Sequence, residues 1–178
     1  MKPLVSVGIT IYNGENTLDR AIKSILNQSY QNLEIIISDD NSTDKSRDLI
    51  REKYLDDKRI IYNHNKKNIG LTENCNLVFK LSSGDFFFWA DQDDYRELNY
   101  VKECIDKMIA NPKASLCHSR TLVFYKNPTN IMHINNLNSI DNEKIIPKRY
   151  WKFLRNYNDV NICGFMRSDH LRKTSLWK

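Results

Sequence analysis

Two stretches of this chain are apolar at consecutive positions: Leu4-Val5-Ser6-Val7-Gly8-Ile9-Thr10, and Leu33–Ser38 with its Ile35-Ile36-Ile37 centre. A strand with one wet face alternates apolar and polar residues. A strand that is apolar on both faces must be covered on both, which is the situation of central strands in an α/β sheet. Between the two stretches the period changes. After Thr17, the residues Leu18, Ala21, Ile22, Ile25 and Leu26 recur at helical spacing, with Asn16 as N-cap and Asp19 in the first turn. The alternation continues with a helix after Asp44, a strand at Ile60-Ile61-Tyr62 and a helix over Leu71–Leu81 facing the core with Leu71, Leu77, Val78 and Leu81. A strand over Asp85–Ala90, a helix over Leu98–Ile109 stopped at Asn111-Pro112, and an extended Ser115–Tyr125 complete the series. Strands alternating with helices predict an α/β fold with a mainly parallel central sheet and helices on both faces. Residues 1–178 are expected to form one domain, with 126–147, rich in Asn and without period, as a mobile loop. Pro147–Tyr157 has the pattern of a short amphipathic helix.

In such sheets ligands bind at the carboxyl ends of the strands. That rule gathers Thr10–Glu15, Asp39–Ser42 and Asp91–Asp94 at one edge, although they are far apart in the chain. The third of these places Asp91, Asp93 and Asp94 within four positions at the end of an apolar strand. Crowded carboxylates raise one another's pKa unless a cation or a set of donors compensates. A divalent ion carrying a phosphorylated ligand is the partner that hard oxygen donors of this kind suit. The plainer alternative is a solvated acidic turn capping the next helix. An EF-hand loop is excluded, because the sixth position lacks Gly and the twelfth lacks Glu.

Four motifs in register carry more than this general chemistry. Val5–Glu15, Ser24–Tyr30, Glu34–Asp44, and then Asn68-Ile69-Gly70-Leu71 with Gly84–Asp94 resemble the family 2 glycosyltransferases of GT-A fold, whose sheet is Rossmann-like. The resemblance covers nearly the whole chain and implies metal-dependent, inverting transfer of a sugar from a UDP- or dTDP-sugar to a hydroxyl of a glycan or lipid-linked acceptor. It implies that Thr10, Tyr12, Asn13 and Glu15 belong to the loop around the nucleotide, and that Asp40 hydrogen-bonds the base. It further implies that Asp91-Gln92-Asp93 is a D-x-D motif, with Asp91 and Gln92 on the nucleotide and Asp93 on Mn²⁺ or Mg²⁺. The chemistry agrees: a carboxylate accepts from a uracil or thymine N3–H, and Tyr12 has a ring that can stack, although it can equally be a packing aromatic. Asp39 and Asp40 are also suited to capping the helix that begins near Asp44. Three departures stand out. Thr10 replaces a usual Pro, Cys75 replaces a usual Arg whose charge Lys66 or Lys67 would have to supply, and the acidic pair expected as general base would lie beyond Lys178.

Composition sets bounds on the alternatives. The chain has 178 residues, 40% of them hydrophobic, and a net charge of +5, enough length for one domain with a proper core and too little charge to imply nucleic acid as a partner. A dinucleotide-dependent oxidoreductase would need G-x-G-x-x-G, which Gly8 and Gly14 do not form. A nucleotide-binding domain without transferase activity is the remaining competitor. Cys75, Cys104, Cys117 and Cys163 show no metal spacing and are expected to be reduced, and His64, His118, His133 and His170 show no ligand spacing either. Met1-Lys2-Pro3 runs straight into an apolar strand, so a cytoplasmic location is expected. The basic and aromatic segment 148–155 is either a solvated helix face or a contact with the inner face of the membrane.

Overall fold

The computed structural model describes residues 2–119, 121–124, 131–135 and 164–176. Contacts divide the chain into two compact units, residues 1–117 with 165–178, and residues 118–164. The first is built on a six-stranded sheet containing β1 (Val5–Ile11), β2 (Leu33–Asp39), β3 (Ile60–His64), β4 (Phe86–Asp91), β5 (Leu116–Cys117) and a strand Phe165–Arg167. The second contains the antiparallel pair β6 (Thr121–Phe124) and β7 (Ile131–Asn135), which makes the Phe165–Arg167 strand β8. The helices of the first unit are α1 (Leu18–Leu26), α2 (Ser46–Lys53), α3 (Leu71–Lys80), α4 (Tyr100–Ala110) and the short α5 (Ser168–Leu171).

The sheet order is β3-β2-β1-β4-β8-β5; the first four strands run parallel, and β8 pairs antiparallel with both β4 and β5. Period-2 alternation sorts the side chains into two layers. Val5, Val7, Ile9 and Ile11 of β1, Leu33, Ile35 and Ile37 of β2, and Phe86, Phe88 and Ala90 of β4 pack with α1, α2 and α4. Ile36, Phe87 and Trp89 face the other way, onto Cys75, Val78 and Phe79 of α3 and partly onto Leu171. Both faces are therefore covered, as the continuous apolar runs predict. The approach of α3 to β1 is close at Gly8, where a Cβ would lie 2.6 Å from Val78 Cγ2 and 2.7 Å from Phe87 Cζ.

Three expectations need correction. Helix α3 buries Val78 as expected, together with Cys75 and Phe79, but Asn74 and Asn76 are buried beside them, whereas Leu71 is 63% and Leu81 41% exposed. The reason is the polar rim of the sheet. Asn74 donates to the Ser38 carbonyl at 2.9 Å and accepts from the Ser38 hydroxyl at 2.6 Å, so the amide is placed where the apolar pattern would have put Leu71. Thr17, not Asn16, stands at the N-cap of α1, because the Gly14 carbonyl already accepts from Thr17 and Leu18 in a turn. The expected extended segment holds two strands that belong to different sheets, β5 and β6. Residues 131–135, inside the expected loop 126–147, form β7; a two-stranded ribbon is held by backbone pairing, which a five-residue strand with an Asn-rich flank does not announce by period. The rest of that loop and the helix expected over Pro147–Tyr157 lie outside the described residues. Cys75, Cys104 and Cys117 are free thiols, and Cys163 is likewise outside them.

Candidate active site

Strand register brings the polar ends together. Thr10 pairs with Ser38 on one side and Asp91 on the other, and Asp39 pairs with Ile11 and His64. The parallel strands thus end level, and their loops enclose a cavity of about 260 Å³ lined by Thr10, Tyr12, Asp40, Asn74, Asp91 and Asp93, together with Ile11, Asn68, Gly70, Leu71 and Gln92. The α3 layer forms its floor.

Asp40 is buried, and its carboxylate accepts from three donors: Oδ1 from the Ile69 amide at 2.8 Å and Asn65 Nδ2 at 2.9 Å, and Oδ2 from the Gly70 amide at 2.9 Å. It caps the turn into α3, not α2. Gly70 adopts φ of 88°, a left-handed conformation that glycine takes without steric cost, and this aims its N–H at Asp40. Asn65 is fixed in turn through Asn63 and Asn74, whose side chains meet at the Ser38 hydroxyl. Asp39 faces the opposite layer and is fully buried. Its Oδ1 accepts from the Ser42 amide, while Tyr62 and His64 approach Oδ2 at 3.3 and 3.2 Å. Arg47 donates to His64 Nε2, which leaves the Nδ1–H for Asp39. Neither Asn65 nor His64 was legible as a site neighbour, since each becomes one only through the pairing of β3 with β2.

Asn13 and Glu15 are outside the pocket lining. The Asn13 amide donates to Ser42 Oγ and its side-chain oxygen accepts from the Thr43 amide; the Glu15 amide donates to Asp44, and Glu15 accepts from the Lys45 amide. These bonds clasp the loop after β1 to the loop after β2. Asn13 takes a φ of 53°, a conformation Asn tolerates better than most residues. Gln92 lines the pocket, but its amide pairs with the Tyr12 backbone. Tyr12 itself is 49% exposed on the pocket wall.

Cys75, standing where a cation was expected, lies buried under Thr10, whose side chain hydrogen-bonds it. Burial pushes the thiol pKa up to about 11, and the nearby Asp91 charge adds to the rise. Lys66 and Lys67 are exposed and do not line the pocket. A different cation approaches instead, with Arg20 of α1 donating to the Asp93 carbonyl at 2.9 Å. Among the described residues no three His, Cys, Asp or Glu side chains stand together as a metal cage. Two hard carboxylates on a pocket wall fit Mg²⁺ or Mn²⁺, which takes its remaining ligands from phosphate and water, and do not fit a metal that needs an all-protein cage.

A parallel sheet ending in this pocket is a GT-A architecture. The crystal structure of residues 1–349 of S. aureus TarS covers 98% of this chain and 50% of its own at TM-score 0.69 and 18% identity. A mannosyltransferase from Pyrobaculum calidifontis, solved in complex with GDP-Man and Mn²⁺, covers 100% of this chain and 48% of its own at TM-score 0.68 and 14% identity. The Glycosyl transferase family 2 pattern matches residues 6–174, and the chain belongs to that family of enzymes. It is 38% identical over 109 residues to an uncharacterized glycosyltransferase of Haemophilus influenzae, covering 61% of this chain and 34% of that protein. It is 42% identical over 94 residues to the Campylobacter jejuni GalNAc(5)-diNAcBac-PP-undecaprenol beta-1,3-glucosyltransferase, covering 52% and 30%. The chain thus spans about a third of the length of these curated relatives. No helix among the described residues is long and apolar enough to cross a membrane.

Proposed function

We propose that the pocket binds the nucleotide of a UDP- or dTDP-sugar together with Mn²⁺ or Mg²⁺, and that the protein transfers the sugar, with inversion, to a hydroxyl of a glycan or lipid-linked acceptor. One observation carries this reading: Asp40 lines the same cavity as Tyr12, Asp91 and Asp93. With three donors already on its two oxygens, Asp40 can only accept, and its remaining lone-pair capacity suits the N3–H of uracil or thymine. Tyr12 offers a ring beside it, and Thr10 and Asp91 face the ribose side. Asp93 is the metal ligand, with Asp91 near it. The bound ion would offset the charge that develops on the departing nucleoside diphosphate. Deprotonation of the acceptor is assigned to none of these residues.

The relatives support a lipid-linked acceptor. Besides the C. jejuni enzyme, the E. coli protein WfaP, 39% identical over 92 residues, is a UDP-Glc:alpha-D-GlcNAc-diphosphoundecaprenol beta-1,3-glucosyltransferase. An acceptor of that kind would place the protein at the inner face of the membrane, with residues 148–155 as the contact. The test is thermal stabilisation by UDP, dTDP, GDP and NAD⁺, each with and without Mn²⁺. At a hundred times Kd a ligand adds about 2.7 kcal/mol, which is about 5–10 °C in Tm for a chain of this size. UDP or dTDP should give a metal-dependent shift that Asp93→Ala removes. Equal shifts with GDP would overturn the base assignment, and an unchanged response in Asp93→Ala would overturn the metal ligand.

A further inference from the structure

Gln92 stands between the two carboxylates of the D-x-D turn, yet its amide is committed to backbone. Oε1 accepts from the Tyr12 amide at 2.9 Å, and Nε2 donates to the Tyr12 carbonyl at 3.2 Å. This two-bond exchange is the one that paired strand residues make, and it joins Tyr12 to the turn after β4 at a point where β1 has already ended at Ile11. The chemistry asks for a primary amide of this length. A Glu carboxylate has no donor for the carbonyl, and Asn is one methylene shorter. The facing backbone is shaped to admit it: a Cβ on Gly14 would lie 2.6 Å from Gln92 Oε1 and 2.9 Å from its Cδ. From the other side, Arg20 holds the Asp93 carbonyl at 2.9 Å.

We propose that Gln92 is a positioning residue and not a nucleotide contact: it straps the Tyr12 wall to the Asp91–Asp93 turn, so that the aromatic wall and the carboxylate wall of the pocket are held as one piece. The proposal rests on the donor-nucleotide reading of the pocket for its effect on binding, but the strap itself is a property of the free protein. Loss of the strap lets Tyr12 move away from its place on the wall. A ligand that reaches only the Tyr12 and Asp40 side therefore binds less well, although Gln92 never touches it.

The test has a ligand-free arm and a binding arm. In the free protein, amide hydrogen exchange at Tyr12 should quicken about tenfold in Gln92→Ala, and by less in Gln92→Glu, which keeps the acceptor and loses the donor. Gly14→Ala should quicken it as well, by displacing the amide, and should add nothing in the Gln92→Ala background. In the binding arm, titrations with Mn²⁺ present use uridine and UDP as probes. Gln92→Ala should weaken both by the same factor, about three- to tenfold. Unchanged exchange at Tyr12 in Gln92→Ala would overturn the strap, as would effects of Gly14→Ala and Gln92→Ala that simply multiply. Weakening of UDP with uridine untouched would show that Gln92 contacts phosphate directly. If the parent protein binds neither probe, the donor-nucleotide reading fails, while the exchange at Tyr12 still decides the strap.

Discussion

Asp40 serves two purposes with one carboxylate, closing the turn into α3 and presenting an acceptor to the pocket. Asp40→Asn keeps the size and removes the symmetry. An amide nitrogen turned toward Ile69 and Asn65 would face two donors, and one turned toward Gly70 would leave that amide only its bond to Asn68 Oδ1 at 3.0 Å, so either orientation loses hydrogen bonding. The expected cost is about 1–3 kcal/mol in a thermal or urea melt, with uridine affinity falling in parallel calorimetry. Asn65→Ala leaves both Asp40 oxygens in place and removes one donor, so the loss in each measurement should be smaller. Cys75 behaves differently from the cation expected at its position. Burial keeps its thiol protonated well above neutral pH, so a thiolate reagent at pH 8 should label it only after unfolding.

At the scale of elements, α3 decides the floor of the pocket, and its seat on β1 depends on Gly8. Gly8→Ala would press a Cβ into Val78 and Phe87, an overpacking that costs about 1–3 kcal/mol and should lower Tm without removing any polar contact of the pocket. The same helix shows where sequence reading stops. Its existence over Leu71–Lys80 follows from period, and so do β1, β2 and β4 from their apolar runs. Its inward face follows only in part, at Val78, because period reports apolar residues and not the buried Asn74 and Asn76. Asn74 is drawn inward by Ser38, a partner 36 positions away, and that contact exists only once β2 is in place. Asn13 and Glu15 tell the same story for loops. Short polar residues after a strand were readable as a site rim, but the clasp they make with Ser42, Asp44 and Lys45 depends on two strands ending level.

Across the whole molecule, shifted groups set both ends of the pH range. Ion-paired hydrogen bonds from Lys23 and then Lys53 hold Asp19 well below the usual carboxylate range, and Arg59 lowers Asp57. For Asp44, burial pulls the other way, but hydrogen bonds led by Ser46 outweigh it. Groups depressed in the folded state contribute stability that is present above the unfolded carboxylate value, about pH 4, and is lost as the pH falls through their folded values. At the alkaline end the sign reverses. Burial raises Cys75 to about 11 and, with the Asp39 charge, Tyr62 to about 12, so their contribution is full below the unfolded values and fades as the pH rises toward these. A urea-melt series should therefore show a plateau around neutrality with a fall on each side; Asp19→Asn should flatten the acid limb and Cys75→Ala the start of the alkaline one.

The sequence by itself determined the α/β alternation, the burial of its central strands and the identity of the residues at their carboxyl ends, because hydrophobic period and strand-end polarity are local properties. Only the tertiary structure decided which of those residues share a cavity and which clasp neighbouring loops. Thr10, Tyr12, Asp40, Asp91 and Asp93 meet in the pocket, where Gln92 pairs with the Tyr12 backbone, while Asn13 and Glu15 bond the loop after β2. The physical reason is that a hydrogen-bonding side chain serves the partner that register brings within 3 Å, and register is set by the whole sheet.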